Sequence, residues 1–114
     1  MTMFRIFLMT IISIVGVYTA IVVANHGMGL LPIFFGDIAD MGWPGQFNMD
    51  FLSFLILGAF WIMWRHHFSA LGLLLGLSIF AGGAPYLCIY LLVGSFQAKG
   101  DAKEILLGQR RAKS

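Results

Sequence analysis

Charged side chains are scarce in this chain of 114 residues: seven Lys or Arg and five Asp or Glu make up 11%, against 60% hydrophobic residues. That is too little polar surface to cover a soluble globule of this size, and the mean hydropathy of +0.90 agrees. Cysteine is nearly missing. Cys88 stands alone in an apolar run, so a disulfide within the chain and a thiolate metal site both lack a second ligand, and it reads as a small packing residue. Lys and Arg are absent from Asn25 to Asp50, and the formal charge of +2 comes mostly from the stretch beginning at Lys99. A basic tail of that kind is not a nucleic-acid-binding domain, and no nucleic-acid partner is expected. No Gly-rich phosphate loop follows a strand, and no strand is expected. A nucleophile with its base is missing as well: Ser53, Ser69 and Ser78 sit among apolar residues, and His67 is two positions from Ser69, the wrong spacing for one helix face. The sequence therefore assigns no catalytic residue, no metal and no cofactor.

What the chain does have is long apolar runs. Ile6 to Ala24 is 19 residues without a charge, Phe51 to Trp64 is 14 and Phe68 to Phe96 is 29. About 20 apolar helical residues cross a hydrocarbon core roughly 30 Å thick. The expectation is an all-α membrane protein with three transmembrane helices over about 4–24, 45–65 and 68–96, followed by a basic polar tail over 97–114. Val22-Val23-Ala24 resembles a signal-peptide cleavage site, but the apolar stretch exceeds the usual core and only Arg5 charges its start, so an uncleaved anchor is expected.

The first helix repeats small residues at Gly16, Ala20 and Ala24, with Ser13 nearby, a smooth stripe that lets another helix approach closely. Between helices one and two, Leu30 to Phe35 is too short to cross a bilayer and Pro32 interrupts it; an interfacial re-entrant or amphipathic segment is expected there. Helix two begins near Pro44, which suits a first helical position. Gln46, Asp50, Ser53 and Leu57 then share one face. The third run would reach roughly 43 Å as a straight helix, so it must tilt, protrude or kink, and Gly82-Gly83-Ala84-Pro85 supplies a kink. Gly72, Gly76 and Gly83 form a second close-packing face. In the tail, Ile105, Leu106 and Leu107 suit a short amphipathic helix.

Three straight spans put the N-terminus and Arg65 on one face, and the acidic loop and basic tail on the other. The positive-inside rule, weighted to the first helix and short loops, places the N-terminus in the cytoplasm and the tail outside, although the tail's own charge argues against this. Folding the third run back at Gly82–Pro85 would bring every basic residue to one side, at the cost of irregular backbone at depth.

Among polar groups Asp50 leads, because a carboxylate near the hydrocarbon boundary faces protein or water. It serves either a structural role near a helix start or a proton, ion or ligand role. Gln46, Asp37, Asp40 and His26 share its side of the membrane, at separations that match no metal-ligand spacing. His66 and His67 are expected at the opposite interface beside Arg65.

Phe34-Phe35-Gly36-Asp37-Ile38, Trp43-x-Gly45-Gln46-x-x-x-Asp50, the Trp61 and Trp64-Arg65 helix end, and Gly82-Gly83 before Tyr86-Leu87 and Tyr90-Leu91-Leu92 form a loose pattern over about residues 30 to 95. It is similar to an uncharacterised family of small multi-span bacterial inner-membrane proteins, a domain of unknown function. The resemblance implies a membrane location and a joint role for Asp50 and the tryptophan–glycine–glutamine stretch, and it implies no reaction.

The function expected from these residues is a non-enzymatic accessory or structural subunit of the bacterial inner membrane, packed into a homo-oligomer or a larger membrane complex. The alternatives are a homo-oligomeric transporter or proton/ion conduit using Asp50, and a haem- or quinone-associated electron-transfer accessory using His26.

Overall fold

The computed structural model describes residues 1–113 and contains helices α1 (Thr2–His26), α2 (Leu30–Ala39), α3 (Trp43–Arg65), α4 (Ala70–Leu77), α5 (Ile79–Gln97) and α6 (Ala102–Ala112). No strand occurs among the described residues, and of the tail expected over 97–114 only Ser114 lies outside them. Three helices, α1, α3 and α5, are long and apolar enough to cross a membrane. The all-α class with three candidate spans, read from the apolar runs, therefore holds.

Helix α1 packs against α5 alone among the described residues. Phe4, Arg5, Leu8, Ile11, Ile12, Val15 and Val23 are its covered positions, the spacing of one helix face, and Leu8 is its one buried residue. Helix α2 holds Pro32 in its first turn, where the missing N–H costs nothing. It runs antiparallel along the start of α3: the Asp37 carbonyl and Ile38 lie over Gly45, and Asn48 Nδ2 donates to the Phe34 carbonyl at 3.1 Å. Any side chain at position 45 would strike the α2 backbone, so this glycine sets how closely the two helices approach.

The third apolar run folds in a way its composition did not reveal. A sharp turn after α3 carries two consecutive non-glycine residues in the left-handed region, His67 (φ 58°) and Phe68 (φ 54°). Their backbone strain is of order 1–3 kcal/mol each, and the edge-on contact of Phe68 with Phe60, 5.8 Å between ring centres, offsets part of it. Ser69 then caps α4, accepting from the Gly72 N–H at 3.1 Å. From there the chain runs antiparallel along α3. A Cβ on Gly76 would lie 2.7 Å from Met63 Cγ and 2.8 Å from the Ala59 carbonyl oxygen, one on Gly72 would lie 2.6 Å from His66 Cβ, and one on Gly83 would lie 3.2 Å from Phe51 Cζ. The glycines read as a close-packing face thus pack inside the molecule, against α3. Gly58, which spacing did not single out, does the same for Ile79 from the other side.

At Gly83 the backbone leaves helical geometry, with φ 59° and ψ −139°. The chain does more than kink there; it turns back. Tyr86 Oη donates to the Leu75 carbonyl at 2.6 Å across 11 residues of sequence, a separation of roughly 16 Å along a straight helix. Four residues later Tyr90 reaches Arg65 and His66 at the end of α3. Helix α4 and the first turn of α5 are one arm of a hairpin, and Pro85 to Gln97 is the other. The buried core, Leu55, Ala59, Ile62 and Ile79, lies where α3 meets this hairpin, with Met63, Leu75, Tyr86 and Tyr90 around it.

The hairpin corrects the expected topology. The tail does not lie across the molecule from Arg65. Met1 lies beside Gly100, Arg5 binds Ser95, and Arg65 binds the α6 backbone, so the N-terminus, Arg65 and the basic tail gather at one end. The physical reason is Gly83: a φ of 59° with this ψ is open to glycine and strained for any other residue.

Gly76→Leu should therefore separate α4 from α3, with a loss of about 1–3 kcal/mol or more from overpacking against backbone. Leu74→Ala, at a position 64% exposed, should be close to neutral. Thermal melts of both variants in mild detergent check this, and equal melting temperatures would refute the hairpin packing.

Candidate functional site

The basic end is where side chains converge. The last carbonyls of a helix lack an intrahelical partner; the Ser95 and Trp64 carbonyls each accept from the backbone of the following turn, Gly100 and His67, and arginines from other elements add a second donor. Arg5 Nη2 donates to the Ser95 carbonyl at 3.0 Å and Arg5 Nε to Ser95 Oγ at 2.9 Å, near the end of α5, with the guanidinium 4.0 Å above the Phe96 ring. Ser95 is fully buried by this contact. Arg111 donates to the Trp64 carbonyl in the last turn of α3 and lies 3.9 Å above the Trp64 ring.

Arg65 does most. Asp101 caps α6 by accepting from the Lys103 N–H, and α6 then breaks at Gly108, where φ is 82° and ψ 167°. The carbonyls of the turn before that break are met from α3. Arg65 Nε donates to Ile105 at 2.7 Å, Arg65 Nη2 to Glu104 at 3.3 Å and Trp61 Nε1 to Leu106 at 3.0 Å. A cation at the carbonyl end of a helix also interacts favourably with its dipole. Gly108 comes within van der Waals reach of the Arg65 backbone, which a side chain there would disturb. Ile105 is buried by this docking, while Leu106 stays exposed.

Tyr90 completes the cluster. Arg65 Nη1 donates to Tyr90 Oη at 3.0 Å, and Tyr90 Oη lies 2.6 Å from His66 Nε2. His66 Nε2 is also 3.4 Å from Arg65 Nη1. Since the guanidinium only donates, this geometry suits a neutral imidazole accepting at Nε2. Partial burial, then the charge of Arg65, then His67 push His66 below its ordinary value.

The acidic side of the molecule is built differently. Gln46, Asp50 and Ser53 do share a face, and it lines an open groove of about 570 Å³ with Ile38, Met41 and Gly42 of the α2–α3 connection. Asp50 and Gln46 are exposed there. Asp37 is half-buried near the end of α2, Asp40 caps that helix and is exposed, and His26 is exposed at the end of α1. Among the described residues, no three of His, Cys, Asp and Glu come together in a group that could hold a metal ion. Gly16, Ala20 and Ala24 are all exposed, and nothing lies within 4 Å of a Cβ placed on Gly16. Spacing singled out none of Arg5, Trp61, Arg65 and Tyr90 as a site residue. The one available signal was the position of Arg5, Arg65 and Arg111, each near the end of a helical run.

The folded chain disfavours the protonated form of His66, so its contribution to stability is complete above the free imidazole value near 6.5 and is lost as pH falls below it. A charged His66 would face Arg65 and loosen the tail. Limited trypsin digestion at Lys103 should therefore speed up several-fold from pH 7.5 to 5.5 relative to a His66→Gln variant at the same pH. A constant ratio of the two rates would show that His66 does not control the tail. Arg65→Gln, which removes the cap, should release α6 at both pH values.

No family model matches this chain, and no curated protein or solved structure matches it.

Proposed function

We propose that the chain is a non-enzymatic integral membrane protein of the bacterial inner membrane, an accessory or structural subunit that packs through α1 into an oligomer or larger membrane complex. The observation that carries this reading is the state of α1. Among the described residues it touches α5 only, and from Gly16 to His26 every residue except Val23 is exposed. Lipid can cover Val17, Tyr18 and Ile21, but the Gly16, Ala20 and Ala24 stripe gains more from a second helix, whose backbone can approach it closely. Gly72, Gly76 and Gly83 already pack against α3, whereas the α1 stripe is uncovered among the described residues. A proton or ion path past Asp50 would need several copies of the chain to enclose it, so that reading also depends on assembly.

Charge segregation supports an orientation. Arg5, Arg65 and Arg111 lie together at one end, while Asp37, Asp40 and Asp50 belong to the α2–α3 region at the other. By the positive-inside rule both termini are cytoplasmic and the α2–α3 connection faces outward.

Two experiments follow from this reading. Native mass spectrometry in mild detergent should show an assembly that Gly16→Leu and Ala20→Leu each reduce, while Val17→Leu on the neighbouring face leaves it intact; an unchanged mass for both stripe variants would remove α1 as the interface. In a Cys88→Ala background, Asp40→Cys should react with an impermeant maleimide in intact cells and Gln109→Cys should not. The reverse labelling would invert the orientation.

A further inference from the structure

Two cavities adjoin at the basic end and share Arg65, His66 and Gln97. The outer one, about 540 Å³, is polar, with Arg65, Arg110, His67, Gln109 and Glu104 around it. The inner one, about 350 Å³, is an apolar trough between the two arms of the hairpin, walled by Leu71 and Leu75 on one side and Ile89 and Val93 on the other. Both volumes fall in the range of about 300–1,000 Å³ typical of small-ligand sites. The trough extends from Gln97 to Tyr86, roughly 16 Å at about 1.5 Å per residue, and the Tyr86 hydrogen bond to Leu75 ties the arms together at its far end. Gly94 forms part of its lining, and nothing lies within 4 Å of a Cβ placed there, so the space beside Gly94 is open.

We propose that these cavities form one binding site for an anionic glycerophospholipid, with the headgroup phosphate in the polar mouth and one acyl chain along the trough. The proposal rests on the membrane location but not on the α1 interface. Charge complementarity selects the occupant. Arg65 and Arg110 outnumber Glu104 at the mouth, which gives it a net positive charge. Of the five N–H groups of a guanidinium, those of Arg65 facing Ile105, Tyr90, His66 and Glu104 account for four. The fifth, on Nη2, is left to donate to an anion. The mouth lies at the end of α3, where lipid phosphates sit relative to a spanning helix, and the trough opens directly from it, as a headgroup joined to its own chain requires. A soluble anion would use the mouth and leave the trough unused. Leu71, Ile89 and Val93, each about half exposed, are the walls that a chain would cover.

The test is lipid titration of the purified full-length protein in mild detergent, read by native mass spectrometry. The probes are phosphatidylglycerol, phosphatidylcholine with the same chains, and inorganic phosphate. Phosphatidylglycerol should bind at least tenfold more tightly than phosphatidylcholine, and inorganic phosphate should not compete at equal concentration. Gly94→Leu fills the trough and should weaken phosphatidylglycerol about tenfold while the melting temperature stays the same. Arg110→Gln, outside the core, should reduce the preference for the anionic lipid to near parity. Should Gly94→Leu fail to fold, Arg110→Gln still decides: loss of the preference upholds the site and its retention overturns it. Equal binding of the two lipids, or competition by inorganic phosphate as strong as that of phosphatidylglycerol, overturns the lipid assignment.

Discussion

The carbonyls at a helix end can each accept a second hydrogen bond beyond their backbone partner, and in this protein arginines from elsewhere in the chain supply it. Arg5 binds near the end of α5, Arg111 at the end of α3, and Arg65 at the broken end of the first part of α6. Each contact closes a long stretch of sequence, 90 residues for Arg5 and 40 for the Arg65 bond to Ile105. Hydrogen bonds to charged groups contribute about 1.5–3 kcal/mol each, and a cation at a helix C-terminus adds about 0.3–1 kcal/mol. Arg65 is central because it joins the end of α3, the returning arm of the hairpin through Tyr90, and the tail. Lysine could not replace it: a single ammonium has no planar fork to hold Ile105, Glu104 and Tyr90 together.

This clamp requires the third apolar run to come back to where it started, and the hairpin at Gly83 lets it do so. The out-going arm lies on α3 through Gly72 and Gly76, close enough that backbone meets backbone; the returning arm brings Tyr90 to Arg65 and Ser95 to Arg5. The apolar trough between the arms is a consequence of the same turn. A straight or gently kinked helix would have carried Tyr90 about 30 Å away from the start of α4, and no trough or polar mouth would exist.

The two ends of the molecule consequently differ in kind. At the basic end Arg5, Arg65 and Arg111 are tied to backbone and ring, and the tail is part of the fold. On the acidic side Asp50, Gln46 and Ser53 line an open groove, and α1 extends past the hairpin without a neighbour. The proposed subunit role draws on this contrast between contacts that hold the fold at one end and uncovered helix surface at the other.

Much of this was legible in the residues. Three uncharged runs determined an all-α membrane protein, Pro44 sits in the first turn of α3 beside its expected start, and Gly72, Gly76 and Gly83 were recognisable as close-packing positions. The face shared by Gln46, Asp50 and Ser53 followed from helical periodicity and lines one groove. These are local properties: hydropathy, period and the steric freedom of glycine depend on neighbours within a few turns. Other features were not local. A Gly-Gly-Ala-Pro stretch permits a kink or a reversal, and only the pairing of Tyr86 with Leu75 and Tyr90 with Arg65 chose reversal. The same choice moved the tail to the side of Arg65 and made partners of arginines that looked like ordinary flanking charges. The sequence by itself determined that this chain belongs in a membrane and where its helices run. Tertiary structure alone decided which ends meet, because the bonds that join them link residues 25 to 90 positions apart, beyond the reach of any periodicity or spacing.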